Sequence, residues 1–308
     1  MKKIVIALFL FILFGCSSNT TTTSTITTSN TDSSFPIESG IYQDNLDDIV
    51  YHYYIPKILD SNTGFLLFLH GGHMDGLSFM ESSGINEQAD IYNFIVCFPS
   101  QSRNRNVEYY WNWYKEEEQL GLGEEINLLH EIATTLIERY DLNIDRSYVA
   151  GFSAGACEAI NLYVNYPDIF QGFASVSGLG YRLVNNKVAA EGLMANGIPV
   201  VNNYQEFIRQ RVGDNMPSKA VVIHGSNDAL VNPRNSEVII EQIIDDNYQY
   251  NEEILDTYSH CSYYDDSHIL EAYFLANIGH VYCGSTNGRF ITVGEINYSE
   301  VIAEYFFE

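Results

Sequence analysis

The sequence of residues 147–155 is Ser147-Tyr148-Val149-Ala150-Gly151-Phe152-Ser153-Ala154-Gly155, which joins an apolar run to a turn of small residues. The run predicts a buried strand, and the segment that begins at Ala154 predicts a helix. A serine on such a turn needs small neighbours, because the backbone is strained there and adjacent elements approach closely. We therefore interpret Ser153 as a nucleophile. The alternative is a strand-to-helix turn without chemistry.

Short apolar runs alternate with amphipathic segments through most of the chain. Apolar side chains recur at helical spacing from Ile126 to Tyr140 and predict a helix with one buried face. We expect strands at 50–55, 65–69, 94–98, 147–150, 173–176, 220–223 and 269–275, and helices at 124–140, 154–166, 236–246 and 298–306. This alternation predicts an α/β fold with a mostly parallel central sheet and helices on both faces. Residues 179–217 have no clean period, and we expect them to shape the substrate site.

A serine hydroxyl becomes a strong nucleophile only when a base takes its proton and an acid orients that base. Three histidines, His260, His268 and His280, follow a suitable acid in the sequence. His268 begins a strand pattern and His260 lies in a polar stretch, which we expect to be a loop. His280 follows a predicted strand through a short loop that can place the imidazole over the sheet edge. We therefore predict His280 as the base.

The acid must come from the carboxyl end of another strand. Asp228 qualifies, because it follows the apolar run at 220–223 and a turn of small residues. The other candidates lie in acidic stretches that are typical of solvated surface, and they are Asp245, Asp246, Asp265 and Asp266. The order Ser153, Asp228, His280 is that of the α/β-hydrolase arrangement.

Two backbone N–H groups are predicted to stabilise the oxyanion of a tetrahedral intermediate. Ala154, directly after the nucleophile, supplies one. The other is expected from Gly72 or His73 in a loop whose glycines let the backbone approach a substrate. His70 and His73 could instead bind a metal with Asp75, but this spacing in a glycine turn is more typical of backbone geometry. We predict no metal and no other cofactor.

Five motifs occur in the order seen in secreted esterases of the poly(3-hydroxybutyrate) depolymerase type: His70-Gly71-Gly72, Trp111-Asn112-Trp113-Tyr114, Gly151-Phe152-Ser153-Ala154-Gly155, His224-Gly225-Ser226-Asn227-Asp228 with Val231 and Pro233, and Gly279-His280. Residues 41–284 therefore resemble that group, which is also similar to the feruloyl and acetylxylan esterases of carbohydrate esterase family one. The resemblance implies an α/β-hydrolase fold, a catalytic triad of Ser153, Asp228 and His280, and a place near the site for Trp111 to Trp113.

The two tryptophans also have an interpretation of their own. Trp111 and Trp113 alternate as in an extended segment, which would place both rings on one side of the chain. Exposed rings would suit binding of a sugar or polyester chain. Burial of both rings in the core is the alternative.

The composition excludes two classes of protein. An apolar content of 46% and an aromatic content of 14% exclude a wholly disordered chain. The 308 residues include 15 Lys and Arg against 40 Asp and Glu, for a formal charge of −25. Because binding of a phosphate backbone needs clustered basic side chains, we expect no nucleic-acid partner.

The first 15 residues are typical of an export signal. Two lysines precede an apolar run at 4–14 that is too short to span a bilayer. Leu13-Phe14-Gly15-Cys16 resembles a bacterial lipoprotein signal, which implies lipidation of Cys16; ordinary secretion is the alternative. Removal of the signal deletes both lysines and changes the formal charge to −27.

Residues 17–34 contain 14 Ser or Thr in 18 positions, which predicts a flexible tether. We therefore divide the chain into a signal peptide at 1–15, a lipidated cysteine and linker at 16–36, and a catalytic domain at 37–308. The protein would be exported and would face the cell surface or the periplasm. Its contact with a membrane would be the lipid anchor alone, and we expect a monomer.

Four cysteines remain beyond Cys16. An even number in an exported protein favours disulfides. Cys261 and Cys283 flank the strand that leads to His280, and a bridge between them would hold the loop of the base. Cys97 and Cys157 are expected to be buried thiols.

These patterns predict an exported serine esterase that hydrolyses small or polymeric carboxylic esters through an acyl-enzyme. Polyesters of hydroxyalkanoates and acyl or feruloyl esters of plant polysaccharides are the expected substrates. Two alternatives stay open: a peptidase or lipase of the same fold, and a non-catalytic surface lipoprotein that binds carbohydrate or polyester.

Overall fold

A computed structural model describes residues 35–197, 203–213, 215–266 and 269–308. The strands are β1 (Gly40–Leu46), β2 (Ile49–Ile55), β3 (Gly64–Leu69), β4 (Phe94–Ser100), β5 (Ser147–Phe152), β6 (Gly172–Val176), β7 (Lys219–Gly225), β8 (Gln249–Ile254), β9 (Tyr258–Tyr264), β10 (Ile269–Leu275), β11 (Tyr282–Gly284) and β12 (Ile291–Val293). The helices are α1 (Gly76–Ser83), α2 (Ile85–Tyr92), α3 (Glu116–Gln119), α4 (Glu124–Tyr140), α5 (Ala154–Asn165), α6 (Lys187–Asn196), α7 (Phe207–Val212), α8 (Arg234–Ile243) and α9 (Tyr298–Phe307). Single 3₁₀ turns precede β5 and α7.

The central sheet has ten strands in the order β1-β2-β4-β3-β5-β6-β7-β10-β9-β8. The six strands from β4 to β10 in this order run parallel to one another. Antiparallel strands close both edges, with β1 and β2 on one side and β9 and β8 on the other. The predicted mostly parallel sheet is therefore confirmed, and β5, which leads to Ser153, lies near its middle.

Helices cover both faces of the sheet, as predicted. Side chains of β3 alternate between the two faces: Phe65 and Leu67 pack in the same core cluster as α4, α5 and α8, whereas Leu66 and Phe68 pack with α1, α2 and α9. Strands that are buried on both faces carry continuous apolar runs, so these central strands could be predicted from the sequence. The predicted helix at 124–140 and the predicted strand at 269–275 agree with α4 and β10 in both bounds.

The edge of the sheet differs from the prediction at His260. This residue was expected in a loop, but it lies in β9 and pairs with Tyr273 of β10. The next strand, β8, forms the sheet edge and has only exposed residues. The sequence does not predict β8, because a strand that buries neither face has no apolar pattern.

Residues 179–217, which showed no clean period, contain α6 and α7. Leu179, Leu183 and Leu193 of this segment form a third core cluster with Trp113 and Cys157. The cluster is separate from the two cores of the sheet. It places the segment beside the start of α5.

The predicted bridge between Cys261 and Cys283 is not formed: the four described cysteines are all free and buried. Cys261 packs with the helices on one face of the sheet, and Cys283 packs with those on the other face. The sheet separates the two thiols. Cys97 and Cys157 are buried thiols, as expected.

The first described residue contacts the end of α4. The guanidinium of Arg139 lies 4.4 Å from the centre of the Phe35 ring. The same end of α4 lies beside the beginning of the parallel strands, since the N–H of Asn143 donates to the carbonyl of Thr63, one residue before β3. The predicted signal, Cys16 and most of the linker lie outside the described residues. Among the described residues, no helix is long and apolar enough to cross a membrane.

The turn between β5 and α5 is packed against the end of β3. A Cβ added to Gly155 would lie 2.2 Å from the carbonyl oxygen of Leu69 and 2.6 Å from that of His70. Backbone atoms cannot give way as a flexible side chain can. The sequence pattern therefore needs a glycine here for space.

We expect Gly155→Ala to lower the free energy of unfolding by about 1–3 kcal/mol, because the added methyl group overlaps two carbonyl groups. Gly192→Ala is the matched control, since Gly192 is an exposed helical residue with nothing within 4 Å of an added Cβ. That change should stabilise the protein by about 0.5–1 kcal/mol. Denaturant titration of both variants measures the difference, and equal stability of Gly155→Ala and the parent protein would contradict this packing.

Candidate active site

Ser153 lies between the end of β5 and the first residue of α5. Its backbone φ is 56°, a left-handed conformation that is unusual for a residue with a side chain. Its N–H donates to the carbonyl of Val176 at 2.8 Å, which holds the turn against β6. The residue is 9% exposed. The hydroxyl is therefore held in a fixed place at the carboxyl end of the sheet.

The structure brings Ser153, His280 and Asp228 together in one hydrogen-bonded chain. Nδ1 of His280 lies 2.7 Å from Oδ2 of Asp228, and Nε2 lies 2.9 Å from Oγ of Ser153. An ionised carboxylate only accepts hydrogen bonds, so Nδ1 carries the proton and donates it. Nε2 of the neutral ring then accepts a hydrogen bond from the Ser153 hydroxyl, which is the arrangement a general base requires.

Asp228 is held in its ionised form. Burial by itself would raise the pKa of this carboxyl, but hydrogen bonds from His224 and His280 and from the N–H of Val231 outweigh burial and hold the pKa well below its usual range. Oδ1 also accepts the N–H of Leu230 at 2.9 Å. The carboxylate is thereby fixed in orientation as well as in charge.

The loop that carries His280 packs on the end of β7. A Cβ at Gly225 would lie 2.3 Å from the carbonyl oxygen of Ile278 and 2.9 Å from that of Gly279. The N–H of Asn227 donates to the same Ile278 carbonyl at 2.9 Å. The glycine thus lets the loop of the base approach the turn that carries the acid.

The predicted oxyanion donors lie beside Ser153. Ala154 is the first residue of α5, so its N–H has no partner within the helix. Gly72 and His73 both line the same cavity as Ser153. The N–H of His73, however, donates to the carbonyl of Glu108 at 3.0 Å. Of the two alternatives, Gly72 is therefore the candidate partner of Ala154.

His70 is engaged within the loop. The N–H of Gln101 donates to its Nε2 at 3.0 Å, so Nδ1 carries the proton and donates to the Gly71 carbonyl at 2.7 Å. Burial lowers the pKa of this imidazole to about 4, which keeps it neutral. Asp75 caps α1 through the N–H of Ser78.

A cavity of about 230 Å³ opens onto Ser153 and His280. Aromatic and aliphatic side chains form most of its wall, among them Tyr110, Trp113, Tyr114, Phe152, Leu179, Ala190, Met194, Leu230 and Phe290. Such a wall suits an uncharged organic group of several carbon atoms. The segment at 179–217 contributes several of these side chains, as the sequence predicted.

Three charged side chains stand at the rim of the cavity. Nζ of Lys187 lies 2.8 Å from Oε2 of Glu108 and 3.9 Å from Oε1 of Glu191. The hydrogen bond from Lys187 lowers the pKa of the Glu108 carboxyl. With two carboxylates and one ammonium, the rim carries a net negative charge, which disfavours anionic ligands.

The two tryptophans do not share a role. Trp113 lines the cavity and is 6% exposed. Trp111 is fully buried and donates its Nε1–H to the carbonyl of His70 at 3.0 Å. The prediction that both rings face a substrate is therefore wrong for Trp111. Its buried ring instead supports the glycine loop through the hydrogen bond to His70. The segment forms a turn in place of the extended run that would align both rings.

A buried carboxylate organises the segment around these tryptophans. Oε1 of Glu125 accepts the backbone N–H of Asn112 at 2.6 Å, and Oε2 accepts the side-chain amides of Asn112 and Gln101 at 2.8 and 2.5 Å. Gln101 also contacts His70 through its backbone, as described above. Glu125 thereby links α4 to Gln101 and to Asn112, which directly precedes the cavity residue Trp113.

Two more carboxyl groups are buried nearby. Burial and the neighbouring carboxylates raise the pKa of Glu158 well above its ordinary value, and burial also raises that of Glu125. Burial raises the pKa of Glu118 to about 7. Oε2 of Glu118 accepts the N–H of Ile126 at 2.9 Å. At acidic pH these side chains are expected to be neutral.

Sequence reasoning missed the supporting residues of the site. The sequence shows His224 only as part of a motif and gives it no role, and it does not mark Glu125 or Glu108 as residues of the site. Glu125 stands at the start of an amphipathic helix, where an acidic residue is ordinary. Nothing local distinguishes it, since its partners come from other parts of the chain.

The stability of the protein should depend on pH through Glu118. Because its pKa is higher in the folded than in the unfolded chain, its contribution is fully present below about pH 4.5 and is lost as pH rises toward 7. Glu118→Gln keeps a neutral group, so the variant should gain about 1–3 kcal/mol relative to the parent between about pH 5 and pH 8. Unfolding titrations at several pH values measure this. The exposed Glu117, changed to Gln, should show a smaller change. A difference that stays constant with pH would contradict a neutral Glu118.

Comparison with known proteins places the chain in a family. Residues 49–252, well over half of the chain, match the family described as Esterase PHB depolymerase. Poly(3-hydroxyalkanoate) depolymerase C of Paucimonas lemoignei is 26% identical over 193 residues, which cover 61% of this chain and 46% of that protein. Feruloyl esterase B of Thermothelomyces thermophilus is 24% identical over 216 residues, 65% of this chain and 71% of that protein. The match thus spans less than half of the first relative.

Solved structures show the same fold. Acetyl xylan esterase from Aspergillus awamori superposes with a TM-score of 0.64 at 20% identity, over 78% of this chain and 94% of that one. S-formylglutathione hydrolase from Agrobacterium tumefaciens gives 0.55 at 12% identity, over 80% and 91%. These likenesses confirm the predicted α/β-hydrolase fold. The chain belongs to the Esterase PHB depolymerase family.

Proposed function

We propose that this protein is a serine esterase that hydrolyses carboxylic esters through an acyl-enzyme. The observation that carries the proposal is the hydrogen-bonded chain from Ser153 through His280 to Asp228, which opens into a largely apolar cavity. A serine, a base and an acid in this order can transfer an acyl group without a cofactor.

In the first half of the reaction, Oγ of Ser153 attacks the ester carbonyl carbon while Nε2 of His280 takes its proton. The N–H groups of Ala154 and Gly72 stabilise the negative charge on the carbonyl oxygen. When the intermediate collapses, His280 gives the proton to the departing alcohol oxygen and the acyl group stays on Ser153. Asp228 stabilises the imidazolium that forms in between.

In the second half, water attacks the acyl-enzyme and His280 takes a proton from it. Collapse of this second intermediate breaks the bond to Ser153 and returns the proton to Oγ. The products are one carboxylic acid and one alcohol, and the enzyme is restored. Base catalysis needs a neutral His280, whose Nε2 is free to take the proton.

For the substrate we propose neutral esters of polyester or plant-polysaccharide type. The activities of the relatives support this class: one is a hydroxyalkanoate depolymerase and another a feruloyl esterase. The apolar cavity suits an acyl group of several carbon atoms, and the negative rim around Lys187 disfavours free acids. Leu230 and Phe290 are exposed at the mouth, where they can contact a polymer.

We expect Ser153→Ala to abolish hydrolysis of p-nitrophenyl butyrate, hydroxybutyrate oligomers, and feruloyl and acetyl xylan esters, whichever of them the parent protein cleaves. Loss of a nucleophile lowers kcat by about 10⁶-fold in comparable serine enzymes. Initial rates on this panel measure both the effect and the preferred ester. Labelling by a fluorophosphonate probe should disappear in the same variant.

Ser175→Ala is the matched control. Ser175 is a fully buried serine on the neighbouring strand β6, and its hydroxyl has no hydrogen-bond partner among the described residues. This variant should keep the parent rate and the label. Full activity of Ser153→Ala on every ester would refute the proposal, and an unlabelled, inactive parent protein would favour a non-catalytic binding protein.

We also propose that the protein is exported and anchored by a lipid on Cys16. The support is the apolar run before Leu13-Phe14-Gly15-Cys16 and the Ser/Thr-rich segment after it. Cells grown with labelled palmitate should label the parent protein, and Cys16→Ala should remove the label. Equal labelling of both, or of neither, would contradict lipidation.

A further inference from the structure

A second imidazole contacts the acid of the site. His224, the next-to-last residue of β7, is fully buried, and its Nε2 lies 3.2 Å from Oδ2 of Asp228. The same oxygen accepts the hydrogen bond from Nδ1 of His280 at 2.7 Å. One carboxylate oxygen is therefore shared by two histidines that approach from opposite ends of the site.

The neighbours of His224 determine where its proton lies. Nε2 faces two acceptors, Oδ2 of Asp228 and the carbonyl of Val231 at 3.0 Å. Neither can donate, so Nε2 must carry a proton. Nδ1 lies 2.6 Å from the hydroxyl of Ser236 on α8, which can donate to it. A neutral ring with the proton on Nε2 satisfies every contact, and Ser236 stabilises that tautomer.

We propose that His224 is a positioning residue of the esterase, which holds Asp228 in the orientation that the base His280 requires. This inference rests on the proposed function. Oδ1 of Asp228 is fixed by the N–H groups of Leu230 and Val231 at 2.9 and 2.8 Å. Nε2–H of His224 donates to the carbonyl of Val231 at 3.0 Å and also lies 3.2 Å from Oδ2. It is the polar neighbour of Oδ2 on the side of the core, since the other group at Oδ2 is the base His280 itself.

During the reaction the base His280 gains a positive charge, and the role of His224 depends on that change. When His280 becomes an imidazolium, its attraction to Oδ2 increases. If Oδ2 had no polar neighbour besides His280, the carboxylate could turn toward the charged ring. His224 lies on β7 and is held by Ser236 of α8 through Nδ1, so its place does not depend on His280. The donor from His224 also keeps the buried carboxylate ionised, because burial of a charge is tolerated only with hydrogen-bond partners.

Three variants separate positioning from simple packing. His224→Phe keeps a planar ring and removes the donor, so kcat should fall by about 10- to 100-fold, the loss expected for one hydrogen bond to a charged group, while KM changes by less than about twofold. His224→Gln places an amide N–H near the position of Nε2 and should recover activity to within about fivefold of the parent. Ser236→Ala, which removes the partner of Nδ1, should lower kcat by about threefold or more.

His52→Phe is the control for a phenyl ring in place of a buried histidine. His52 is 6% exposed, lies on β2 and contacts Gln43. Its kcat and KM should equal those of the parent. Unfolding midpoints of all variants show whether each is folded at the assay temperature.

A second set of variants, made in Asp228→Asn, tests whether His224 affects the rate through Asp228 or through a general effect on the protein. In Asp228→Asn the charge is gone, so adding His224→Phe should lower the residual rate on p-nitrophenyl acetate by less than about twofold. An equal fold-loss in both backgrounds, or an unchanged kcat in His224→Phe and Ser236→Ala, would overturn the positioning role. If His224→Phe does not fold, Ser236→Ala decides by the same criterion. Activity that survives Ser153→Ala would refute the esterase mechanism itself, whereas activity that depends on Ser153 but not on His224 refutes only this inference.

Discussion

The close approach of α5 to the end of β3 fixes the geometry of the whole site. Gly155 packs on the carbonyl groups of Leu69 and His70, so the first turn of the helix touches the strand that leads into the glycine loop. This contact brings the N–H of Ala154 and the loop residue Gly72 to the same cavity. Ser153, two residues before Gly155, has an unusual positive φ, and its N–H bond to Val176 of β6 holds that conformation in place. The proposed nucleophile and the proposed oxyanion donors are thus brought to one cavity by the same packing.

Behind the cavity, side chains supply hydrogen bonds that helices and strands supply elsewhere in the protein. The stretch from Gln101 to Trp113 lies between β4 and α3 and has no strand or helix of its own. Glu125 accepts the backbone N–H of Asn112 and the side-chain amides of Asn112 and Gln101, and the carbonyl of Trp113 accepts from Asn161 at 3.0 Å. Buried polar groups need such partners, and here they also give the wall of the cavity a single arrangement. The raised pKa values of the buried glutamates imply that the formal charge overstates the negative charge of the folded protein.

The sequence was most informative where a residue's role depends on its immediate neighbours. The run before Ser153, the glycines around it and the apolar face of α4 are local patterns, and each predicted the right element. Asp228 and His280 could be selected because both follow apolar strands of the sheet. Their contact with Ser153 depends on strand order, which a single sequence does not encode locally.

Apart from the polar edge strand β8, the features that could not be predicted depend on how distant segments pack together. Burial of Trp111 and exposure of Trp113 to the cavity come from a turn that reverses the expected alternation. The separation of Cys261 from Cys283 follows from the two faces of the sheet, although the residues lie close in sequence. His224 is one more case: its motif was visible, but its contact with Asp228 appears only when the turn after β7 has folded.

The contact between Phe35 and Arg139 has a consequence for how the molecule is presented to its surroundings. It lies at the end of α4, beside the beginning of the parallel strands, whereas Ser153 follows the carboxyl end of β5. A six-residue strand is about 20 Å long, so the chain enters the domain at the edge opposite the cavity. With the proposed lipid anchor attached through that edge, the cavity would lie on the side away from the tether, where substrates too large or too insoluble to diffuse to the cell can reach it.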